Sequence, residues 1–413
     1  METGLHSRGA DRSIGELIAH RRPGHALEQG FYTRQDVFAR DMDLLLSGWI
    51  CVGHESEVPE AGDYLLAELE RESAIVVRGD DGVLRALANV CRHRGSRVCV
   101  EARGSVALLT CPYHAWSYQL DGRLRAAREM PEGFDPAAHG LKPLPLQIIG
   151  GLIFVSFASE PPSLGVAAPA LAAMTDHYGW ADARVAHRQS YAVAANWKLV
   201  MENYHECYHC APAHPEFSGL HALARPGARR VRTHDQSRAD QAAGAAQVAD
   251  VEAWPVEPDG AEVVRVMRSD LAAGALTGSA DGGLMAPLMG AQPDGACVFA
   301  EVGYLSAFLA YADHGVVYRF IPHAVLETRM EVLWLVDAAA RQGHDYDLER
   351  LTWLWDVTSL ADKRIIERNQ AGVLSRAYEP GPFSLMEPGT ELYVDRYLRD
   401  LAQQCVGEHR HGA

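Results

Sequence analysis

The sequence has no apolar run long enough to cross a bilayer. Its strongest, Gly150 to Ala158, falls far short of the roughly 20 residues a membrane helix needs. The N-terminus, with Glu2, His6, Arg8 and Asp11, lacks the apolar core of an export signal, so a soluble, cytoplasmic protein is expected. Basic residues are in the minority, 38 against 54 acidic ones, and a net charge of −16 would repel a phosphate backbone or an anionic membrane face. Neither nucleic acid nor membrane is expected as a partner. Cysteine is scarce too: the eight, at 51, 91, 99, 111, 207, 210, 297 and 405, are too few for a disulfide scaffold in 413 residues. Several stand beside histidines, which favours metal binding over disulfides.

What the chain has is core material, 48% hydrophobic residues, enough for two or three domains. Val37, Leu44, Leu45 and Trp49 recur at roughly helical spacing, and residues 1–48 are read as an N-terminal helical segment packing on the last domain. The texture then changes to short runs, among them Tyr64 to Leu69, Ala74 to Arg78, Val83 to Val90 and Leu152 to Phe157, separated by turns such as Gly79-Asp80-Asp81-Gly82. They predict a small antiparallel β-domain over residues 49–160. In residues 161–413, a strand at Tyr191 to Ala195, a helix from Trp197 to Cys210, further strands up to Val336 and a long helix from Leu348 to Asn369 predict an α+β domain. Residues 225–295, rich in Ala, Gly, Asp and Arg, are read as a surface insertion or as a lid over a pocket.

Two clusters carry the chemistry. Cys91-Arg-His93 and Cys111-Pro-Tyr-His114 each lie in a turn after a predicted strand. Two thiolates and two imidazoles suit a zinc site or a Rieske centre. Zinc fingers usually pair Cys with Cys and His with His, whereas here each loop brings one of each, which better suits a diamond-shaped cluster clamped between two loops. CRHRG at 91–95 and CPYHAW at 111–116 resemble the ligand boxes of the Rieske [2Fe–2S] domain. Cys51 and Cys99 match neither box and are read as buried small hydrophobes.

The second cluster is Asn196-Trp-Lys-Leu-Val-Met-Glu202-Asn-Tyr-His-Glu206-Cys-Tyr-His209-Cys-Ala-Pro-Ala-His214. Leu199, Glu202, Glu206 and His209 share one face of a helix. Acids and an imidazole on such a stripe are costly to bury unless they meet a metal or each other; otherwise the face is simply solvated. His214, across Pro212, lets two imidazoles converge. Two His and one carboxylate form the facial triad of non-haem Fe(II) oxygenases. Asp362 lies within the apolar stripe of the long helix, and we take it as the third ligand.

Taken together, residues 38–400 resemble the oxygenase subunit of the Rieske non-haem iron oxygenases, and NWKLVMENYHECYHC most resembles the glycine betaine, stachydrine and carnitine branch. The strip Tyr378 to Phe383 resembles that branch as well. The resemblance implies a helix-grip catalytic domain, its antiparallel sheet wrapped around the long C-terminal helix. It implies a [2Fe–2S] cluster on Cys91, His93, Cys111 and His114, and a mononuclear Fe(II) on His209, His214 and Asp362. Dioxygen would be the cosubstrate. Electrons would come from NAD(P)H through a separate reductase, since no GxGxxG or flavin signature is present. It further implies a head-to-tail homotrimer in which Glu206 bridges a neighbour's Rieske His to His209. Glu202 stands where many relatives carry Asn and is a second candidate catalytic acid.

In that branch the implied reaction is oxidative N-demethylation of a small quaternary ammonium compound with release of formaldehyde. Candidate aromatic walls for a methylated ammonium are Tyr304, Phe308, Tyr311, Tyr318, Phe320 and Trp355, with Arg319 or His323 to meet a carboxylate. For any one ring, core packing is the stronger reading. The alternative is hydroxylation of an aromatic or alicyclic compound at the same metals. A reading from another class is a Rieske redox carrier without working mononuclear iron.

Overall fold

The computed structural model describes residues 12–165, 167–221 and 264–411. Alternating residues in Asp63–Leu69, Glu72–Arg78 and Leu84–Ala88 build an antiparallel sheet flanked by Arg103–Ser105 and Pro143–Leu144. Tyr64, Ile75, Val77 and Leu87 of this sheet pack on Cys91, Cys111, Trp116 and Tyr118, so the two cysteine loops are seated on its core. A three-stranded sheet of Ile50–His54, Leu152–Val155 and Leu146–Ile149 closes the module.

Six strands form the second sheet: β1 (Ala183–Val193), β2 (Val264–Asp270), β3 (Ala296–Val302), β4 (Ser306–Ala310), β5 (Gly315–Ala324) and β6 (Glu327–Asp337), all pairs antiparallel, in the order β1-β6-β5-β4-β3-β2. Strands β5 and β6 read as almost continuous apolar runs because both faces are covered. Tyr318, Phe320, Val332 and Trp334 face one core with Leu351, Leu354 and Trp355 of the long helix. Val317, Leu333 and Leu335 face another with Leu171 and Met174 of the helix Ala167–His177.

Three helices hold the first face: α1 (Trp197–Tyr204), α2 (Leu348–Val373) and α3 (Pro388–His411). The N-terminal helix Gln35–Ser47 packs Phe38, Met42 and Leu45 into the same core. Its Asp41, fully buried, accepts from Trp197 Nε1 at 3.0 Å, from Tyr397 Oη at 2.6 Å and from the Lys198 ammonium. The α+β architecture, an antiparallel sheet around a long helix, is the one expected. Among the described residues no helix is long and apolar enough to cross a membrane.

Four details differ from the expectation. The helix predicted from Trp197 to Cys210 ends at Tyr204, because the Glu206 carboxylate captures the N–H groups of Tyr208 and His209 and offers the backbone an alternative to further helix. Strand β3 and helix α3 were not foreseen. Cys207 and Cys210 are joined as a disulfide, against the preference for metal over disulfide. Of the stretch read as an insertion or a lid, residues 225–263 lie outside the described residues. The rest is edge strand β2 and a loop held down where Asp313 accepts the Met285 N–H at 2.7 Å.

Candidate metal centres and substrate cavity

The two Rieske-like loops are built alike. Cys91 N–H donates to Ser96 O at 2.8 Å and Gly95 N–H back to Cys91 O at 3.0 Å; Cys111 N–H donates to Trp116 O at 2.8 Å and Ala115 N–H to Cys111 O at 3.0 Å. The fifth residue of each turn is left-handed, Gly95 at φ +78° and Ala115 at φ +60°. Alanine there is strained, a cost tolerated where the surrounding structure needs the turn. Both cysteines are buried and both histidines exposed, with the rings of His93 and His114 4.6 Å apart. Burial pushes the Cys111 thiol up, but N–H groups of Tyr113 and His114 and the neighbouring Cys91 hold it below its ordinary value, which favours thiolate. Sulfurs inward with donors aimed at them, and imidazoles outward, fit a [2Fe–2S] cluster held by two Cys and two His. Tyr118 Oη, 3.2 Å from Cys91 Sγ, and Trp116, which ends the CPYHAW box and stacks on His93, complete the seat; the part played by Tyr118 was missed from sequence.

The second centre starts at the cap of α1. Asn196 accepts Lys198 N–H at 3.1 Å, while its own N–H donates to Gln370 Oε1 at 2.9 Å and its amide to Val325 O at 2.7 Å. The box is thereby pinned to α2 and to the sheet. Glu206 Oε1 lies 2.5 Å from His209 Nδ1, which leaves Nε2 facing Asp362. His214 sits between the short helices Cys210–Ala213 and Pro215–Leu220, with Pro at the first helical position, where its missing N–H costs nothing. Asp362 Oδ1 is 3.2 Å from Nε2 of both His209 and His214. Burial opposes charge on His209, yet Asp362 and Glu206 raise it to about 9. Burial also raises Asp362, and the two imidazoles hold it below its ordinary value. A trio that attracts positive charge this strongly fits a divalent cation on two nitrogens and one oxygen. Cys210 also has its sulfur near both imidazoles, but that sulfur is bonded to Cys207.

A cavity opens on this trio. Its walls include Tyr204, Phe217, Phe299, Glu301, Trp355 and Thr358 together with Glu206, His209, His214 and Asp362. The rings of Phe217, Phe299 and Trp355 lie 5.5 to 6.5 Å from one another. Glu301 on β3 is paired with buried His205 at 3.0 Å.

Several predicted residues lie elsewhere. Glu202 turns away from the cavity: Tyr32 Oη donates to its carboxylate at 2.9 Å, and burial raises it to about 8. Of the proposed aromatic walls only Trp355 lines the cavity. Tyr304 donates to Asp400, and Phe308 packs near Phe154 and Trp180 in the other core. Tyr318 and Phe320 stack against each other beside Tyr204, and Tyr311 bonds His221. Phe308, Tyr318 and Phe320 are core because alternation on β4 and β5 points them into packed layers. Arg319 is spent on Glu331 and Cys51 O, and His323 is exposed at the end of β5. Asp356, on the same helix as Asp362, accepts from Tyr191 Oη at 2.6 Å. Phe217 lies three residues past His214 and Thr358 four before Asp362, helical spacings that would have found them. Phe299 and Glu301 stand on the strand that was not foreseen.

Comparison with known proteins bears on both centres. The Rieske [2Fe-2S] domain family matches residues 48–145, and the ring hydroxylating alpha subunit (catalytic domain) family matches residues 180–403. The glycine betaine monooxygenase oxygenase subunit of Chromohalobacter salexigens is 37% identical over 415 residues, 96% of this chain and 90% of that protein. The carnitine monooxygenase oxygenase subunit of Escherichia coli is 40% identical over 196 residues, 46% of this chain and 52% of that protein. A solved quaternary ammonium Rieske monooxygenase, described for carnitine oxidation and inter-subunit electron transfer, has a TM-score of 0.69 at 23% identity, over 94% of this chain and 97% of that one. At that identity the likeness speaks for the fold.

Proposed function

The chain belongs to the Rieske non-haem iron oxygenases, as an oxygenase subunit, and on that premise we propose that it N-demethylates a small quaternary ammonium acid of the betaine type, releasing formaldehyde. Membership brings a Rieske [2Fe–2S] cluster, a catalytic domain of the mononuclear iron type, dioxygen as cosubstrate and electrons from a separate reductase. The observation that carries the substrate class is the near full-length likeness to a glycine betaine monooxygenase oxygenase subunit.

When bound, the cluster supplies single electrons and the iron supplies dioxygen activation for insertion of one oxygen atom into a C–H bond. Cys91, His93, Cys111 and His114 are the residues to hold the first, and His209, His214 and Asp362 the second. Glu206 fixes the tautomer and tilt of His209, as an acid behind a metal-ligating histidine does. In a head-to-tail ring of three copies the same carboxylate faces the neighbour's exposed Rieske histidine, and that contact joins the two centres. A methylated ammonium donates no hydrogen bond, so the Phe217, Phe299 and Trp355 rings hold it by cation–π attraction of about 0.5–2 kcal/mol. The same rings keep water from the reacting methyl. Once that methyl carries a hydroxyl, its C–N bond breaks to give formaldehyde, a tertiary amine and a proton.

Incubation with dioxygen, NADH, a reductase and a panel of betaines should release formaldehyde in step with NADH consumed. Silence across the panel with both metals in place overturns the substrate class. The apolar rings also suit a flat aromatic compound; a product heavier by one or two oxygens, in place of one lighter by a methylene, identifies that second reading.

A further inference from the structure

Two cavity-lining side chains of α2 carry buried hydrogen-bond donors that meet nothing among the described residues. Trp355 and Thr358 are each 3% exposed, and neither Trp355 Nε1 nor Thr358 Oγ1 has a partner. Tyr204 Oη, from another wall of the same cavity, is likewise buried and unpartnered. A helical threonine ordinarily satisfies itself by donating to the carbonyl four residues back. Thr352, on the same helix, does so with Leu348 O at 3.0 Å, and Thr358 does not. A buried indole N–H ordinarily finds an acceptor, as Trp197 finds Asp41. Trp180 and Trp334 also leave their indoles unpartnered, but they belong to packed cores. Trp355 and Thr358 stand one turn apart on the cavity face that also bears Asp362.

Burying a donor with no acceptor costs about 1–3 kcal/mol, so donors gathered at a cavity wall point to an acceptor that arrives with the ligand. The wall's charges say which kind. Its acids are Glu206, Glu301 and Asp362, and among the described residues no Lys or Arg lines it. On these described walls a substrate carboxylate meets neutral donors. Helix rise places Thr358 about 6 Å and Trp355 about 10 Å along the axis from Asp362. A methyl at the metal end thus leaves the opposite end of a short betaine beside these two groups.

We infer that Thr358 and Trp355, with Tyr204 across the cavity, receive the carboxylate of the substrate and set which end of it enters first. The inference rests on the betaine reading above. The test is anaerobic calorimetry on the metal-loaded enzyme with glycine betaine, with a four-carbon trimethylammonio acid, and with tetramethylammonium, which lacks the carboxylate. Thr358→Val and Trp355→Phe should each weaken the better-bound acid about tenfold or more, the scale of a hydrogen bond to a charged group. Tetramethylammonium should bind to Thr358→Val as it does to the wild type, and Trp355→Phe, which keeps a ring on the ammonium, should weaken it less than the acid. Thr358→Ser should restore binding of the acid, and it retains a testable hydroxyl if Thr358→Val fails to fold. Unchanged affinity for the acids, or equal loss for acid and tetramethylammonium, overturns the inference while leaving the substrate class standing. Failure of the wild type to bind any of the three overturns both.

Discussion

The two centres solve opposite problems. The Rieske loops take all four donors from 24 consecutive residues, Cys91 to His114, and hold them by short backbone turns that leave the imidazoles in solvent. The second centre is proposed to take its donors from positions 209, 214 and 362, on separate elements that meet at a cavity. An electron carrier must expose its ligand edge to another molecule. A centre that handles dioxygen and substrate must choose what reaches it, so its ligands depend on tertiary packing, and there a fault in packing is a fault in chemistry.

The largest effect should come from breaking the dispersed centre. Asp362→Ala is expected to lower iron from three to two per chain and to cut turnover by at least roughly a hundredfold, beyond the usual cost of losing a group that only supports a ligand. The visible spectrum of the cluster should stay unchanged. Loss of cluster colour as well would show that the centres do not fold independently. Glu206→Gln sharpens the same comparison at the acid proposed to join them. Both metals should remain, while cluster oxidation in a single turnover slows about 10- to 100-fold. An unchanged single-turnover rate removes Glu206 from the path.

The smallest effect concerns the acid that turned away from the cavity. Burial raises Glu202 from 4.5 to about 8, with Tyr32 and Lys198 opposing the rise and Glu387 adding to it. The folded chain therefore binds this proton more tightly than the unfolded one. Stability should fall as pH climbs from about 4.5 to about 8, by an amount on the order of a few kcal/mol. Glu202→Gln should flatten that slope in urea denaturation without changing iron content. A slope as steep as the wild type's would assign the pH dependence to other groups.

The same contrast explains what was legible in the sequence. The Rieske boxes are local, so their mixed Cys and His pairs and the resemblance of CRHRG and CPYHAW to known ligand boxes pointed to them. Asp362 was readable because a charged residue inside an apolar helical stripe is anomalous. Tyr304, Phe308, Tyr318 and Phe320 are candidate walls in the sequence, with core packing the stronger reading for any one, because packing and binding share their periodicity. The register of β4 and β5 puts Phe308, Tyr318 and Phe320 in packed layers. Phe299 and Glu301 were out of reach once their strand went unrecognised. The end of α1 at Tyr204 depends on one carboxylate folding back on its own backbone, which residue spacing does not encode.

Asp41 carries a practical consequence. It reaches from the N-terminal helix to Lys198 and Trp197, at the root of the segment that bears the proposed iron ligands His209 and His214, and to Tyr397 on α3. A shortened protein that begins at Ile50 would remove the carboxylate to which the buried Lys198 ammonium donates, and breaking such a buried pair typically costs about 3–5 kcal/mol. Anyone trimming this enzyme down to its two metal-bearing halves should keep the leading helix.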